Sequence, residues 1–232
     1  MEDEHGELTR RLEAVRAKRG YLLPHHGLMA LAFPDLLAGY DAAYTAMALA
    51  DRILSHHDRE FVWLAVLAAT DEGLATHHIA KFRAAGGDDP GISAAFGAAA
   101  WAIGAEAHDF AAKSWSVQLS PWDPRVAYIE GVRQPGPLRL VHLAQLAVHV
   151  CKARWRVLRW QIVAAYEDQV PEGEIAEALS LAMFPGSIPR FVEACGVWRE
   201  MIVHNEVPAS RPYRTWAEFE GQGGFDEASA AR

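Results

Sequence analysis

Lysine and cysteine are scarce in this 232-residue chain: four lysines (Lys18, Lys81, Lys113, Lys152) and two cysteines (Cys151, Cys195). Two cysteines 44 positions apart cannot build a disulfide framework or a cysteine-rich zinc module, so a reducing, cytoplasmic setting is expected. Positive charge is also short. Lys and Arg number 22 against 30 Asp and Glu, a formal net charge of −8, which argues against a nucleic-acid surface. Arg154, Arg156 and Arg159 cluster, but three arginines on one helix do not track a phosphate backbone. No stretch of about 18 residues is free of charged or strongly polar groups, so no membrane span is expected. The nearest candidate, 61–70, reads as a buried helix. The acidic start, Met1-Glu2-Asp3-Glu4-His5, lacks the basic and apolar pattern of an export signal.

Alternation with a period of two is nearly absent as well, and the chain reads as all-α. Its apolar fraction of 51% is that of a globular protein, and its length suits one large domain or two small ones. A polar surface helix is expected over 1–20, a first helical repeat over 21–115, a Pro-rich connector over 116–137, a second repeat over 138–205 and an extended tail over 206–232. Pro24 is read as a break. Pro34-Asp35 opens a helix, and Ser55 or Asp58 caps an apolar one from Phe61 to Leu67. Further helices are expected over 73–85, from Asp88-Asp89-Pro90 onward, and unbroken over 138–167. The turn Gly86-Gly87-Asp88-Asp89-Pro90-Gly91-Ile92 can be laid on the stretch that ends Pro171-Glu172-Gly173-Glu174-Ile175, which suggests an internal duplication.

Two segments resemble the carboxymuconolactone decarboxylase and alkylhydroperoxidase D-like superfamily. The first is Asp58-Arg59-Glu60 opening an apolar helix, followed by His77-His78 and Ala84-Ala85-Gly86. The second is Pro171-Glu172-Gly173-Glu174-Ile175-Ala176-Glu177-Ala178, then Pro185-Gly186-Ser187-Ile188-Pro189. Phe33-Pro34-Asp35 through Tyr40 fits the helix upstream of these. The resemblance implies a helical bundle of the alkylhydroperoxidase D-like type, two pseudo-symmetric repeats and a homo-oligomer.

The departure from the family matters more. Its peroxide-reducing members carry Cys-x-x-Cys followed by His, two thiols one helical turn apart that can close a disulfide. Here the matching stretch is Asp71-Glu72-Gly73-Leu74-Ala75-Thr76-His77-His78, and both thiols are missing. The resemblance then implies the thiol-independent, decarboxylase-like branch: lyase chemistry on a small carboxylated substrate, with no cofactor. Such chemistry needs a general acid/base, usually His with a carboxylate, and a donor set for the substrate anion. Glu60, Glu72, His77 and His78 are the candidates for the first role. The plain alternative for Glu60 is a carboxylate placed at a helix start by the dipole. Arg154, His149, His25 and His26 are the candidates for binding a small anionic acid, since a guanidinium matches a carboxylate in a bidentate fork. The plain reading of His149, and of His142 seven residues before it, is a satisfied core histidine. Trp63, Trp101, Trp155, Trp160 and Trp198 read as core.

Three other readings stand beside this one. A non-catalytic binding or assembly relative explains the lost thiols by lost chemistry. A metal enzyme using Glu72, His78 and His149 lacks any His-x-x-x-His spacing, and no metal is expected. Peroxide reduction through Cys151 alone needs an accessible thiolate.

Overall fold

Proline and short polar residues decide where the helices begin. The computed structural model describes residues 2–133 and 136–224, with side chains from residue 6 onward. Residues 134 and 135 of the expected connector and 225–232 of the expected tail lie outside the described residues. Every regular element among the described residues is helical. Backbone contacts divide the chain into two units, Met1–Ala50 and Asp51–Arg232. The boundary therefore falls inside the segment 21–115 expected to form one repeat.

The first unit contains α1 (Glu2–Arg19), α2 (Pro24–Ala32) and α3 (Pro34–Tyr44), which runs into a wide π turn at Thr45–Leu49. Pro24 and Pro34 stand in the first turn of their helices, where a missing N–H costs nothing. Pro24 thus starts a helix instead of only breaking the chain, and His25 and His26 lie within it. Val15, Ala30 and Leu37 form the centre of this unit.

The second unit is built on α4 (His56–Ala69) and α9 (Leu138–Cys151), which pack against each other. All residues from Arg59 to Val66 and from Leu140 to Cys151 are buried. Helices apolar on every side belong in the middle of a fold. Ser55 Oγ caps α4 by accepting from Asp58 N at 3.1 Å. Across both lies α6 (Asp89–Ser114), capped by Asp88 Oδ1 on Gly91 N at 2.8 Å. Ala94, Ala95, Ala98, Ala99, Ala102 and Ala105 line its buried face, small enough for close packing. Around this centre, α5 (His77–Ala84) packs on α4, and α8 (Pro124–Val132) on α6, just after the single turn α7 (Ser116–Leu119). Against α9 lie α10 (Trp155–Glu167) and α11 (Glu172–Leu181), with α12 (Ile188–Val203) against α10. Each fully buried Phe, Leu or Ile in this core contributes roughly 1.5–3 kcal/mol.

Three expected elements differ. The stretch 138–167 is two helices, because Ala153 takes a left-handed φ of 52° between α9 and α10. The apolar pattern continues across the break, so periodicity does not register it. The helix expected over 73–85 begins at His77. Asp71, at φ 57°, ends α4, and Glu72 Oε1 accepts from Leu74 N at 3.0 Å to hold a turn. The tail expected to be extended holds α13 (Arg211–Glu218), packed on α12. Trp198 draws it in, with ring centroids 5.2 Å from Tyr213 and 5.7 Å from Trp216.

Within the second unit several features recur at a common offset. Left-handed residues follow both central helices, Asp71 after α4 and Ala153 after α9, 82 positions apart. Left-handed turns follow the next helices, Gly86 and Gln169, 83 apart. One polar contact between neighbouring helices is repeated at the same offsets. Glu60 meets His78 in the first half, and His142 meets Gln161 in the second.

Candidate functional site

Glu60 sits on the first turns of α4, which point it into the core, and is 2% exposed. A buried carboxylate costs several kcal/mol unless it is paired and hydrogen-bonded. Its partner is His78 on α5, 3% exposed, with Nδ1 2.6 Å from Glu60 Oε2. With Glu60 ionised, Nδ1 holds the proton and donates it to the carboxylate. Nε2 then carries the lone pair, the tautomer of a general base. Trp63, three residues after Glu60 and on the same face of α4, stacks on the His78 ring at 4.9 Å between centroids and 30° between planes. This stacking fixes the imidazole. Sequence reasoning placed Trp63 in the core and missed this contact; the i,i+3 spacing from Glu60 was the available signal.

A cavity of about 380 Å³ opens between α4, α5 and α6, and neither Glu60 nor His78 is among its lining residues. Leu64, one turn beyond Glu60, lines it together with Leu67, Ile79 and Phe96, and the loop residues Asp71 and Glu72 border it. Ile79 directly follows His78 in the chain. Leu64 and Ile79 thus place the cavity on the same two helices that carry Glu60 and His78, at the loop 71–76 between them. Lys and Arg are absent from its lining.

The neighbouring arginine serves another purpose. Arg59 is 1% exposed and donates from Nε to Glu177 Oε1 at 3.2 Å and from a terminal nitrogen to Leu54 O at 3.3 Å. Glu177 Oε2 also accepts from Ile53 N and Leu54 N, both at 2.8 Å. The Arg59–Glu177 pair thus ties the segment before α4 to α11, and so holds Glu60 in place.

The other candidates lie elsewhere. Glu72 is exposed and bonded to its own loop, with Glu60 taking the place on His78 that it was expected to share. His77 is half-buried, its ring 4.3 Å from that of His78. Arg154 is not a carboxylate binder here: it donates to the carbonyls of Ala102 and Ile103 and pairs with Glu106. The break at Ala153 turns it onto α6. His149 is fully buried and does not line the cavity. The Tyr128 hydroxyl donates to Gln145 Oε1 at 2.8 Å, so it accepts from His149 Nε2 at 2.7 Å. Burial, reinforced by the charge of Arg154, lowers the His149 pKa to about 3. His142 is also buried; Gln161 Nε2 donates to its Nδ1 at 2.7 Å, and its Nε2 faces Asp168 at 2.9 Å. Its pKa is lowered by burial, against the pull of Asp168.

His25 and His26 belong to the first unit. There His25 Nε2 meets the Tyr40 hydroxyl at 3.1 Å, and His26 Nε2 lies 2.8 Å from an Arg19 guanidinium nitrogen. Burial first, then the neighbouring charges of His25 and Arg19, lower the His26 pKa to about 4. Arg19 in turn is anchored on Asp41 at 2.9 Å. Both histidines are thus engaged within their own unit.

Cys151 is buried, and burial pushes its thiol up to about 12 despite Arg190 and Lys152. Among the described residues, no three of His, Cys, Asp and Glu are grouped so as to hold a metal ion, and no helix is long and apolar enough to cross a membrane. Comparison of the chain with protein-family models, with curated proteins and with solved structures returned no match.

Proposed function

We propose that this chain is a small-molecule enzyme that moves a proton by general acid/base catalysis, in the manner of the thiol-independent, decarboxylase-like lyases its motifs resemble. One observation carries the reading: the buried 2.6 Å contact between Glu60 and His78, on the two helices that also wall a largely apolar cavity. The carboxylate orients the imidazole and balances the positive charge that develops when Nε2 takes a proton. The apolar wall limits water, which strengthens both effects. No thiol takes part. A one-cysteine peroxidase at Cys151 is disfavoured by the burial and raised pKa of that thiol.

A non-catalytic relative has less support. A site that had lost its chemistry would be free to drop its costly buried carboxylate and fill its cavity, and this chain keeps Glu60 at 2% exposure and about 380 Å³ open on the same helices. The test is proton exchange in heavy water across a panel of apolar carbon acids, followed by NMR. Glu60→Gln and His78→Gln are expected to lower exchange by roughly 100-fold or more, the usual worth of a positioned acid or base. Exchange at wild-type rates in both folded variants refutes the reading.

A further inference from the structure

The cavity between α4, α5 and α6 carries charge of the sign opposite to the one the motifs imply. A guanidinium or ammonium is the strongest partner for a substrate carboxylate, yet among the described residues the lining contains neither Lys nor Arg. Arg154, the guanidinium expected to fill that role, is already bound to Ala102, Ile103 and Glu106. The charged groups on the lining are the carboxylates of Asp71 and Glu72, both exposed at its edge. Thr76 apart, the remaining wall is apolar, with Leu64, Leu67, Ile79 and Phe96 as its large side chains.

From this arrangement we infer that the site takes a protonated amine with an apolar body, the body lying on Leu64, Leu67, Ile79 and Phe96 and the ammonium group facing Asp71 and Glu72. This deepens the acid/base reading and rests on it for the location of the site. A volume of about 380 Å³ is at the small end for ligand cavities and suits a molecule with one ring or a short chain. Attraction to two exposed carboxylates is modest and screened by salt, so the preference is largest at low ionic strength.

The experiment compares three probes of similar shape on the full chain at low salt: phenethylammonium, phenethyl alcohol and hydrocinnamate. Dissociation constants come from NMR titration, with the Ile79 methyl and Phe96 ring signals reporting occupancy of the cavity. The ammonium is expected to bind about fivefold more tightly than the alcohol, and the carboxylate most weakly. Asp71→Asn with Glu72→Gln should abolish the preference while leaving the alcohol unchanged. Asn tolerates the left-handed φ at position 71, and Gln keeps an acceptor for Leu74 N, so this variant retains the loop. Hydrocinnamate binding as tightly as the ammonium overturns the inference. So does a preference that survives the double substitution, or a cavity that none of the three probes enters. Glu60→Gln separates the two proposals, because it should stop proton transfer and leave the order of probe affinities intact. An intact order with undiminished exchange sinks the acid/base reading alone; Glu60-dependent exchange on an anionic substrate sinks the charge preference alone.

Discussion

Replacing Glu177 by Gln should destabilise the second unit by about 3 kcal/mol, although position 177 is remote in sequence from α4. Its carboxylate is 2% exposed and has three close donors: Ile53 N and Leu54 N at 2.8 Å and Arg59 Nε at 3.2 Å. Arg52 Nε lies further off, at 3.8 Å. Removing one member of a buried ion pair costs roughly 3–5 kcal/mol, because the remaining charge is left uncompensated. Glutamine keeps one oxygen for the two backbone N–H groups, which places the loss at the low end. For a unit of this size, about 1 kcal/mol moves Tm by roughly 2–4 °C, so a fall of about 6–12 °C is expected. Urea unfolding and calorimetry measure both quantities. Replacing Arg59 and Glu177 together by Met sharpens the reasoning. An ion pair alone can be exchanged for apolar groups at little cost. Here the double variant still strands Ile53 N and Leu54 N, at roughly 1–3 kcal/mol each, and should remain destabilised. A Glu177→Gln midpoint within about 0.5 kcal/mol of the parent protein refutes the reasoning.

Two further outcomes follow from the same physics. His149 is held neutral by burial, with its pKa moved from 6.5 to about 3. Across that window the unfolded chain binds a proton that the folded chain refuses, so His149 lowers stability as pH falls, by about 1.4 kcal/mol per pH unit. His149→Gln should reduce the slope of unfolding free energy against pH by about one proton, and an unchanged slope below pH 6 contradicts the assignment. Ala153 sits at φ 52°, where an L side chain is strained by roughly 1–2 kcal/mol. Ala153→Gly should therefore raise stability by about 0.5–1 kcal/mol in urea unfolding, even though it removes a methyl group; a loss of stability would show that the turn is not strained.

The all-α class was legible because alanine-rich segments without period-two alternation leave little else. So were the helix starts at Ser55, offered as a cap with Asp58 as the alternative, and at Asp88-Asp89-Pro90, where side-chain oxygens can satisfy the free N–H groups. The expected duplication rested on the turn before Ile92 and Ile175; the contacts that recur at the same offset pair unlike residues, Glu60 with His78 and His142 with Gln161, which no comparison of residue types reveals. Glu60 and His78 stood out as a carboxylate and an imidazole flanking an apolar helix. Glu72 was equally plausible by type, and only the left-handed Asp71, which turns the loop away from the core, separates the two. Arg154 misled for a related reason. Its charge suited a carboxylate, but the break at Ala153 placed it on carbonyls of α6, and a break of three residues leaves no mark on hydrophobic periodicity. The aromatic tail was read from its proline, glycine and charge, which hid the attraction of Trp198 for Tyr213 and Trp216.

The central claim is that Glu60 holds His78 as a base with its lone pair on Nε2. Nitrogen-15 NMR of the imidazole in the full chain reads this directly, without any substrate. In the neutral imidazole the His78 proton should sit on Nδ1 with Nε2 bare, and Glu60→Gln should remove that bias. A proton resident on Nε2, or a tautomer that does not respond to Glu60→Gln, contradicts the account.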